Sequence, residues 1–193
     1  MIGMVTFTRY DGEQARKLHD TVRQVHTAAY AERIQAGDPF SAPEAFMDRF
    51  DAYIQRDGFD LVIAYADDGQ PIAQAWGWPL PTDTGWWTGL QPDPELNPAL
   101  DIAEFTHEDG TRTFALSELM VDQTEAGHGL GHRLHDELLG ARTEQRATLL
   151  VRPDNPAGEA YQRWGWRPVA RLRPTMPNAP QFHVLILKLP LSR

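Results

Sequence analysis

Apolar residues at spacings of three and four positions dominate the first third of the chain. This periodicity predicts an amphipathic helix over 12–27 and a second helix over about 42–56, after a short opening strand at 5–8. The inward-facing residues are Ala15, Leu18, Val22 and Val25 in the first helix and Phe46, Phe50 and Ile54 in the second. The predicted order is therefore strand, helix, helix.

The next two apolar runs are short and rich in residues typical of strands. They cover 61–65 and 71–78 and are separated by Asp67-Asp68-Gly69-Gln70, which has the composition of a hairpin turn. We therefore expect two antiparallel strands here.

The pattern is interrupted over about 79–111. This stretch contains prolines, glycines and Trp86-Trp87 without clear periodicity. A long irregular loop inside a compact domain is uncommon and is often a lid or a binding loop. A structural excursion whose tryptophans cover the core is an equally good interpretation.

Regular patterning returns in the second half of the chain. Strands are predicted at 112–121, 147–152, 166–172 and 182–189, with a helix at 156–164 and another that faces inward through Leu130, Leu134 and Leu138. Residues 112–121 are the best candidate for the centre of the sheet. No repeat or domain boundary is visible, so we expect one domain over 1–193 with an α/β (α+β) fold.

Composition narrows the classes of function. The formal net charge is −9. The chain lacks the cluster of lysine and arginine that is typical of nucleic-acid-binding proteins, so the sequence does not favour that class. No segment is long and apolar enough to span a bilayer. The chain has no cysteine and no visible secretory signal, so we expect a cytoplasmic protein. The acidity fits either a cationic substrate or simply a soluble surface.

Residues 118–133 carry the most informative motif, Glu-Leu-Met-Val-Asp-Gln-Thr-Glu-Ala-Gly-His-Gly-Leu-Gly-His-Arg. A short apolar strand runs into a glycine-rich bend that opens a helix. Helix N-termini carry unpaired N–H groups and a positive dipole end, so such a bend can bind phosphate or pyrophosphate. The spacing matches neither the dinucleotide fingerprint nor a P-loop. A simple tight turn remains the alternative.

The bend and the sequence after it resemble the GCN5-related N-acetyltransferase (GNAT) superfamily. The resemblance covers about 112–170 and includes Asp154-Asn155-Pro156 and Tyr161-Gln162-Arg163-Trp164-Gly165-Trp166 in the family's order. It implies a mixed, mostly antiparallel central sheet of about six to seven strands flanked by helices. It also implies acetyl-CoA as the cosubstrate.

The resemblance assigns the residues that would bind coenzyme A. Main-chain groups of Leu119, Met120 and Val121 stand where the family pairs with the pantetheine arm, and Asn155 stands where an asparagine often bonds to it. The pyrophosphate would be held by the N–H groups of Gly127, His128, Gly129, Leu130, Gly131, His132 and Arg133. Tyr161 stands where a tyrosine often lies near the thioester sulfur.

Two positions depart from the family pattern. Ala126 replaces the arginine or glutamine that usually opens the bend, which removes one side-chain contact but no main-chain N–H. The segment from Asn155 to Tyr161 is one residue shorter than usual, so either Asn155 or Asp154 fills the asparagine's place.

Acetyl transfer needs a base for the amine and an acid for the departing thiolate. Tyr161 is the candidate acid, because a tyrosine pKa near 10 is close to that of a thiol; packing of its helix is the alternative role. Glu118, flanked by apolar residues, is the candidate base. It could instead position a substrate ammonium or pair with an arginine. Glu104, His107 and Glu108 are weaker candidates.

Histidines and tryptophans complete the set of candidate groups. His128, His132 and His135 have helical spacing, but no His-Glu-x-x-His pattern accompanies them, so we expect solvated or phosphate-facing histidines and no metal. Trp76, Trp78, Trp86 and Trp87 could line an acceptor pocket or fill the core.

The sequence thus predicts an acyl-CoA-dependent N-acetyltransferase that moves an acetyl group to a primary amine of a small molecule by direct attack on the thioester. A protein or peptide N-acetyltransferase and a non-catalytic acyl-CoA-binding sensor are the alternatives. We expect no nucleic-acid or membrane partner, and a homodimer stays open.

Overall fold

The computed structural model describes residues 4–175 and 177–191. The described residues form seven helices and eight strands, and the strands make one sheet in the order β1-β2-β3-β5-β6-β8-β7-β4. The strands are β1 (Thr6–Asp11), β2 (Asp60–Tyr65), β3 (Pro71–Pro79), β4 (Leu90–Pro92), β5 (Thr113–Val121), β6 (Arg146–Val151), β7 (Arg167–Leu172) and β8 (Phe182–Lys188). The helices are α1 (Gly12–Ala15), α2 (His19–Ala29), α3 (Ala31–Gln35), α4 (Pro43–Tyr53), α5 (Ile102–Phe105), α6 (Leu130–Leu139) and α7 (Ala157–Arg163).

This architecture confirms the predicted mixed and mostly antiparallel sheet flanked by helices. The strand count is higher than predicted, because the 79–111 segment is not irregular throughout. It contributes α5 and also β4, which pairs antiparallel with β7. Gly89 makes this pairing possible, since its φ of +86° suits glycine and a Cβ there would clash with the carbonyl oxygen of Arg173.

The predicted helix over 12–27 is two helices. α1 begins at a capping box in which Asp11 and Gln14 each accept a hydrogen bond from the other's backbone N–H. The backbone leaves helical geometry at Leu18, and α2 starts after it. Three of the four predicted apolar positions face inward, because Ala15, Val22 and Val25 are fully buried, whereas Leu18 at the break is half-buried.

Contacts group the chain into two compact units. The first contains the chain up to Trp78 together with Leu116–Ala141, and the second contains Pro79–Ala115 and the chain from Arg142 onward. Whether they fold as the single domain expected from the sequence stays a prediction.

The first unit has helices on both faces of its strands. On one face, Trp76 of β3 packs against Phe46 and Phe50 of α4, with ring centroids 5.6 and 5.2 Å apart. Phe7 and Arg9 of β1 lie on the other face, where they contact Arg133 and the Glu137 carbonyl of α6. Successive side chains of a strand point to opposite faces of the sheet, so each strand can contact helices on both faces.

The second unit contains the rest of the sheet. β6 pairs with β8 along its whole length, and β8 also pairs with β7, both antiparallel. β5 and β6 are parallel, but their ladder joins only Thr113–Ala115 to Arg146–Thr148. The remainder of β5, Leu116–Val121, therefore has main-chain groups outside this ladder.

Candidate active site

The glycine-rich bend joins the end of β5 to the start of α6. Asp122 turns the chain, its Oδ1 accepting a hydrogen bond from the Thr124 N–H at 2.9 Å. Gly127 and Gly129 then adopt φ values of +82° and +77°, which L side chains rarely adopt, and open space surrounds both. The bend therefore needs glycine for its backbone and presents that backbone to solvent.

The N–H groups of this bend have no acceptor. Within the described part of the chain, none of the amides from Gly127 to Gly131 is hydrogen-bonded. The first amide of α6 to find an intrahelical partner is Arg133, which donates to the Gly129 carbonyl at 3.2 Å. Gly127, His128 and Gly129 are all exposed. Consecutive exposed N–H groups at a helix N-terminus form an anion-binding site.

Side chains around the bend add little obstruction. His132 and Arg133 are exposed in the first turn of α6, which carries no acidic residue. His128 turns back toward the Glu125 carbonyl oxygen, 3.4 Å from its Nδ1. The Arg133 guanidinium lies over the Phe7 ring at 5.1 Å. The positive charge beside the free amides complements a diphosphate.

Leu119, Met120 and Val121 form the end of β5 that leads into the bend. The Met120 side chain is buried and its Sδ accepts a hydrogen bond from Gln74 Nε2 at 3.2 Å. Leu119 and Val121 are half-buried. Because the β5–β6 ladder ends at Ala115, this segment has main-chain groups suited to pairing with an extended amide-bearing arm.

Glu118 precedes this segment and occupies a desolvated position. Burial raises the pKa of its carboxyl to about 7, and the charge of Arg49 opposes the rise. A carboxylate with this pKa exchanges its proton near neutral pH, which suits a general base.

Tyr53, at the end of α4, lies beside Glu118. Burial and the Glu118 charge raise the pKa of Tyr53 to about 12, so the phenol stays protonated. Its side chain shares a hydrogen bond with Ser117, and its ring lies 4.7 Å from that of Trp78. Through Tyr53 and Arg49, the helix α4 therefore influences Glu118, the predicted base.

Sequence reasoning missed Arg49 and Tyr53 as members of this site. Both lie on the face of α4 that carries Phe46 and Phe50, at helical spacings from them. An arginine on an otherwise apolar helix face was the available signal.

Tyr161, the candidate acid, lies in the second unit and is buried. Its ring makes edge contacts with Trp164 at 5.4 Å and Trp166 at 6.1 Å between centroids. These contacts fix the ring as the alternative packing role requires, and its role in proton transfer stays a prediction.

Asn155 caps the start of α7 with its side chain. Its Oδ1 accepts a hydrogen bond from the Ala157 N–H at 3.0 Å. Asp154, the other residue that could fill the family position, forms an ion pair with Arg152 at 3.2 Å. Only the amide nitrogen of Asn155 is left to donate to a ligand.

The weaker base candidates have structural partners. Glu108 is buried and accepts hydrogen bonds from Trp87, Thr113 and Arg146 at 2.9 to 3.1 Å. Glu104 forms an ion pair with Arg112, whose guanidinium also donates to the His107 carbonyl. These groups hold the 79–111 segment to β5 and β6.

Burial of three of the four tryptophans agrees with the second of the two roles considered for them, which is to fill the core. Trp76, Trp78 and Trp87 are all at most 7 % exposed, and Trp86 is half-buried. Trp78 stands beside Tyr53, and Trp87 donates a hydrogen bond to Glu108.

The histidines of α6 form a local cluster with Asp136. His135 Nδ1 lies 2.8 Å and His132 Nε2 3.6 Å from Asp136 Oδ1. Three potential ligand atoms of these residues lie within 4.8 Å of one another. His128 is not part of the group. The contacts within the cluster account for its geometry, so it carries no argument for a metal.

Comparison with known proteins identifies the fold. No family model matches the chain, and no curated protein matches it. Solved structures do. A protein of Desulfovibrio desulfuricans assigned to the GNAT family of acetyltransferases is 18% identical, with 96% of this chain and 99% of that chain covered at a TM-score of 0.60.

Two further solved structures agree. The ribosomal-protein-S18-alanine N-acetyltransferase of Escherichia coli is 15% identical over 98% of this chain and 97% of that chain, at a TM-score of 0.57. The PaiA N-acetyltransferase of Thermoplasma acidophilum, solved in complex with coenzyme A, is 11% identical over 96% and 99%, at a TM-score of 0.52. The chain therefore has the fold of the GNAT acetyltransferases, which confirms the predicted resemblance at the level of fold.

Among the described residues, no helix is both long enough and apolar enough to cross a bilayer.

Proposed function

We propose that this protein is an acyl-CoA-dependent N-acetyltransferase that acetylates a primary amine of a small molecule. The observation that carries the proposal is the row of unpaired N–H groups from Gly127 to Gly131, on a bend whose residues Gly127, His128 and Gly129 are exposed, which suits the diphosphate of coenzyme A. The GNAT fold and the coenzyme A complex of a structural neighbour support the same cosubstrate.

In the proposed reaction the neutral amine attacks the thioester carbonyl directly. The C–N bond forms as the C–S bond breaks, and the acetyl group passes to the amine. Glu118 receives the proton of the amine, either directly or through water, and Tyr161 donates a proton to the departing thiolate. The raised pKa of Glu118 supports its part, because a base titrating near 7 is matched to neutral pH.

Other residues of the proposal bind the parts of coenzyme A. The amides from Gly127 to Gly131 hold the diphosphate, whereas the predicted contribution of the Arg133 amide is wrong because that N–H donates to the Gly129 carbonyl. The main chain of Leu119–Val121 pairs with the pantetheine arm, and a side-chain N–H of Asn155 donates a hydrogen bond to the same arm. A cytoplasmic location agrees with a cosubstrate made inside cells and is part of this proposal.

A second candidate acceptor is a protein N-terminus. It is favoured by one structural neighbour, which is named for acetylating an alanine of ribosomal protein S18. A short peptide with a free N-terminal alanine represents this acceptor in an assay.

The test is an acetyl-transfer assay with both acceptor types. The protein is incubated with acetyl-CoA and either a panel of small amines or the peptide; free thiol and product mass are measured. We expect thiol release only with an amine present, and a product heavier by one acetyl group. Binding of coenzyme A without turnover would identify a sensor instead. No binding at all would refute the proposed diphosphate site at the glycine-rich bend.

A further inference from the structure

Arg49 of α4 carries a positive charge that is only partly satisfied. Its Nη1 donates to the Ala45 carbonyl at 3.1 Å and its Nη2 to the Phe40 carbonyl at 2.9 Å. The guanidinium carbon lies 4.1 Å from the centre of the Phe40 ring. Its Nε is buried without a hydrogen-bond partner, and Arg49 forms no ion pair within 4–175 and 177–191. Both of its bonds are to main-chain carbonyls, which leave the cation without a counter-ion.

Glu118 is the complementary case. It is half-buried and forms no ion pair with any described residue, although the Arg49 charge influences it. Tyr53 connects the two positions, since it lies one helical turn after Arg49 and its side chain bonds to Ser117, the neighbour of Glu118. Opposite charges thus stand on adjacent elements, α4 and β5, without direct contact.

Trp76 of β3 carries a second unpartnered donor. The Nε1 of Trp76 is buried with no acceptor in the described residues. The Trp76 ring lies 5.6 Å from the centre of the Phe46 ring, and the Arg49 guanidinium lies 5.9 Å from that same centre. Buried donors without acceptors are rare in folded proteins and commonly mark a missing ligand or water.

The arrangement selects for a particular type of acceptor. A half-buried cation is more stable with a counter-ion than without one, and an acceptor molecule that carries only an amine leaves Arg49 without a counter-ion. An acceptor with an amine and a nearby carboxylate pairs with both groups at once. Its carboxylate accepts from the guanidinium, a charge-assisted hydrogen bond, and its amine faces Glu118.

We infer that the acceptor is a free amino acid or a close analogue, whose carboxylate is bound by Arg49 while its amine is presented to Glu118. This inference rests on the proposed function and specifies the acceptor of that same site. It also opposes the peptide alternative, because the first residue of a peptide carries an amide where a free amino acid carries the carboxylate.

The first test uses the unmodified protein and matched acceptors. Phenylalanine, phenylalaninamide and phenethylamine share a side chain and differ in the group beside the amine; alanine, alaninamide and ethylamine form a second series. We expect kcat/KM for the amino acid to exceed that for its amide and amine by about tenfold or more, the contribution of one hydrogen bond to a charged group. Equal values across both series, or a preference for the amides, would overturn the inference.

The second test changes Arg49 itself. Loss of the Arg49 charge should raise the pKa of Glu118 further, so both proteins are compared at a pH well above 7. There, KM of Arg49→Gln for the preferred amino acid should rise about tenfold while kcat stays within about twofold, and the values for the matched amine should change little. Arg23→Gln is the control, since Arg23 forms an exposed ion pair with Glu44, a residue of the helix α4 that also carries Arg49. If Arg49→Gln does not fold, the acceptor series with the unmodified protein still decides.

The outcomes distinguish failure of the amino-acid acceptor from failure of acetyl transfer itself. Turnover of amines regardless of a carboxylate would refute the amino-acid acceptor and leave acetyl transfer intact. Absence of turnover with every acceptor, including the peptide, would refute the proposed function and the inference with it.

Discussion

Tyr53 and Ser117 share a side-chain hydrogen bond that fastens the end of α4 to the strand β5. The two residues are far apart in the sequence, and their contact brings the charges of α4 to Glu118. Burial and Arg49 then act on Glu118 in opposite directions, and burial dominates. The reactivity of this carboxylate is therefore set mainly by its burial, and it is moderated by a helix that the sequence alone does not connect to it.

The first prediction concerns the pH dependence of acetyl transfer. Because the pKa of Glu118 is raised to about 7, kcat/KM should rise with pH through this value as the carboxylate ionises. Glu118→Gln should lower the rate by about 100-fold or more and remove this limb. Glu159→Gln, an exposed substitution on α7, should retain both the rate and the limb. An unchanged profile in Glu118→Gln would exclude its role as the base.

The second prediction concerns the pH dependence of stability. The folded-state pKa of Glu118 lies above the ordinary value of 4.5, so the folded protein holds a proton that the unfolded chain has lost between about pH 4.5 and 7. The free energy of unfolding should fall across this window, by an amount on the order of 1–3 kcal/mol, and stay lower above it. Glu118→Gln should flatten this dependence and be more stable than the unmodified protein at pH 8. Urea unfolding at three pH values measures it, and a steeper fall in the variant would contradict it.

The third prediction tests the glycine bend with a matched pair. Gly129 and Gly37 have φ values of +77° and +75° and open surroundings, so valine at either position introduces similar backbone strain. Gly129→Val should weaken coenzyme A binding by about tenfold or more, because the side chain covers amides that hold the diphosphate. Gly37→Val should leave the affinity unchanged. Calorimetric titration measures both affinities, and equal affinities in the two variants would refute the proposed diphosphate site.

The fourth prediction concerns the hydroxyl of Tyr161. Tyr161→Phe keeps the ring that contacts Trp164 and Trp166 and removes only the acid. We expect kcat to fall by about 100-fold and the affinity for coenzyme A to stay within about twofold. Tyr10→Phe is the control, because it removes a hydroxyl that lies 3.0 Å from the Tyr65 hydroxyl in the β1–β2 pair. Full activity in Tyr161→Phe would assign Tyr161 to packing alone.

The fifth prediction separates structural from catalytic carboxylates. Glu108→Ala leaves the guanidinium of Arg146 buried without its partner at 3.1 Å, which should cost about 3–5 kcal/mol of unfolding free energy. The melting temperature should fall by more than about 6 °C. Glu104→Ala breaks an exposed pair with Arg112 and should cost less than about 1 kcal/mol. If Glu108→Ala had near-normal stability but no turnover, Glu108 would be a candidate general base again.

Much of the fold could be predicted because its signals are local. The periodic apolar positions of α4 and α6 are buried as expected, and the hairpin of β2 and β3 forms around the predicted turn. The 79–111 segment could not be read in this way. Its strand β4 has only three residues, and what fixes it is the approach of Gly89 to Arg173 and its pairing with β7.

The sequence by itself determined the glycine bend between β5 and α6. Glycine conformation, helix start and free amides are properties of a few consecutive residues, so their composition is sufficient to specify them. Only the tertiary structure decided the surroundings of Glu118 and the structural role of Glu108. Desolvation and charge act through space between residues that are distant along the chain, such as Arg49 and Glu118, and no local pattern records which of them will meet.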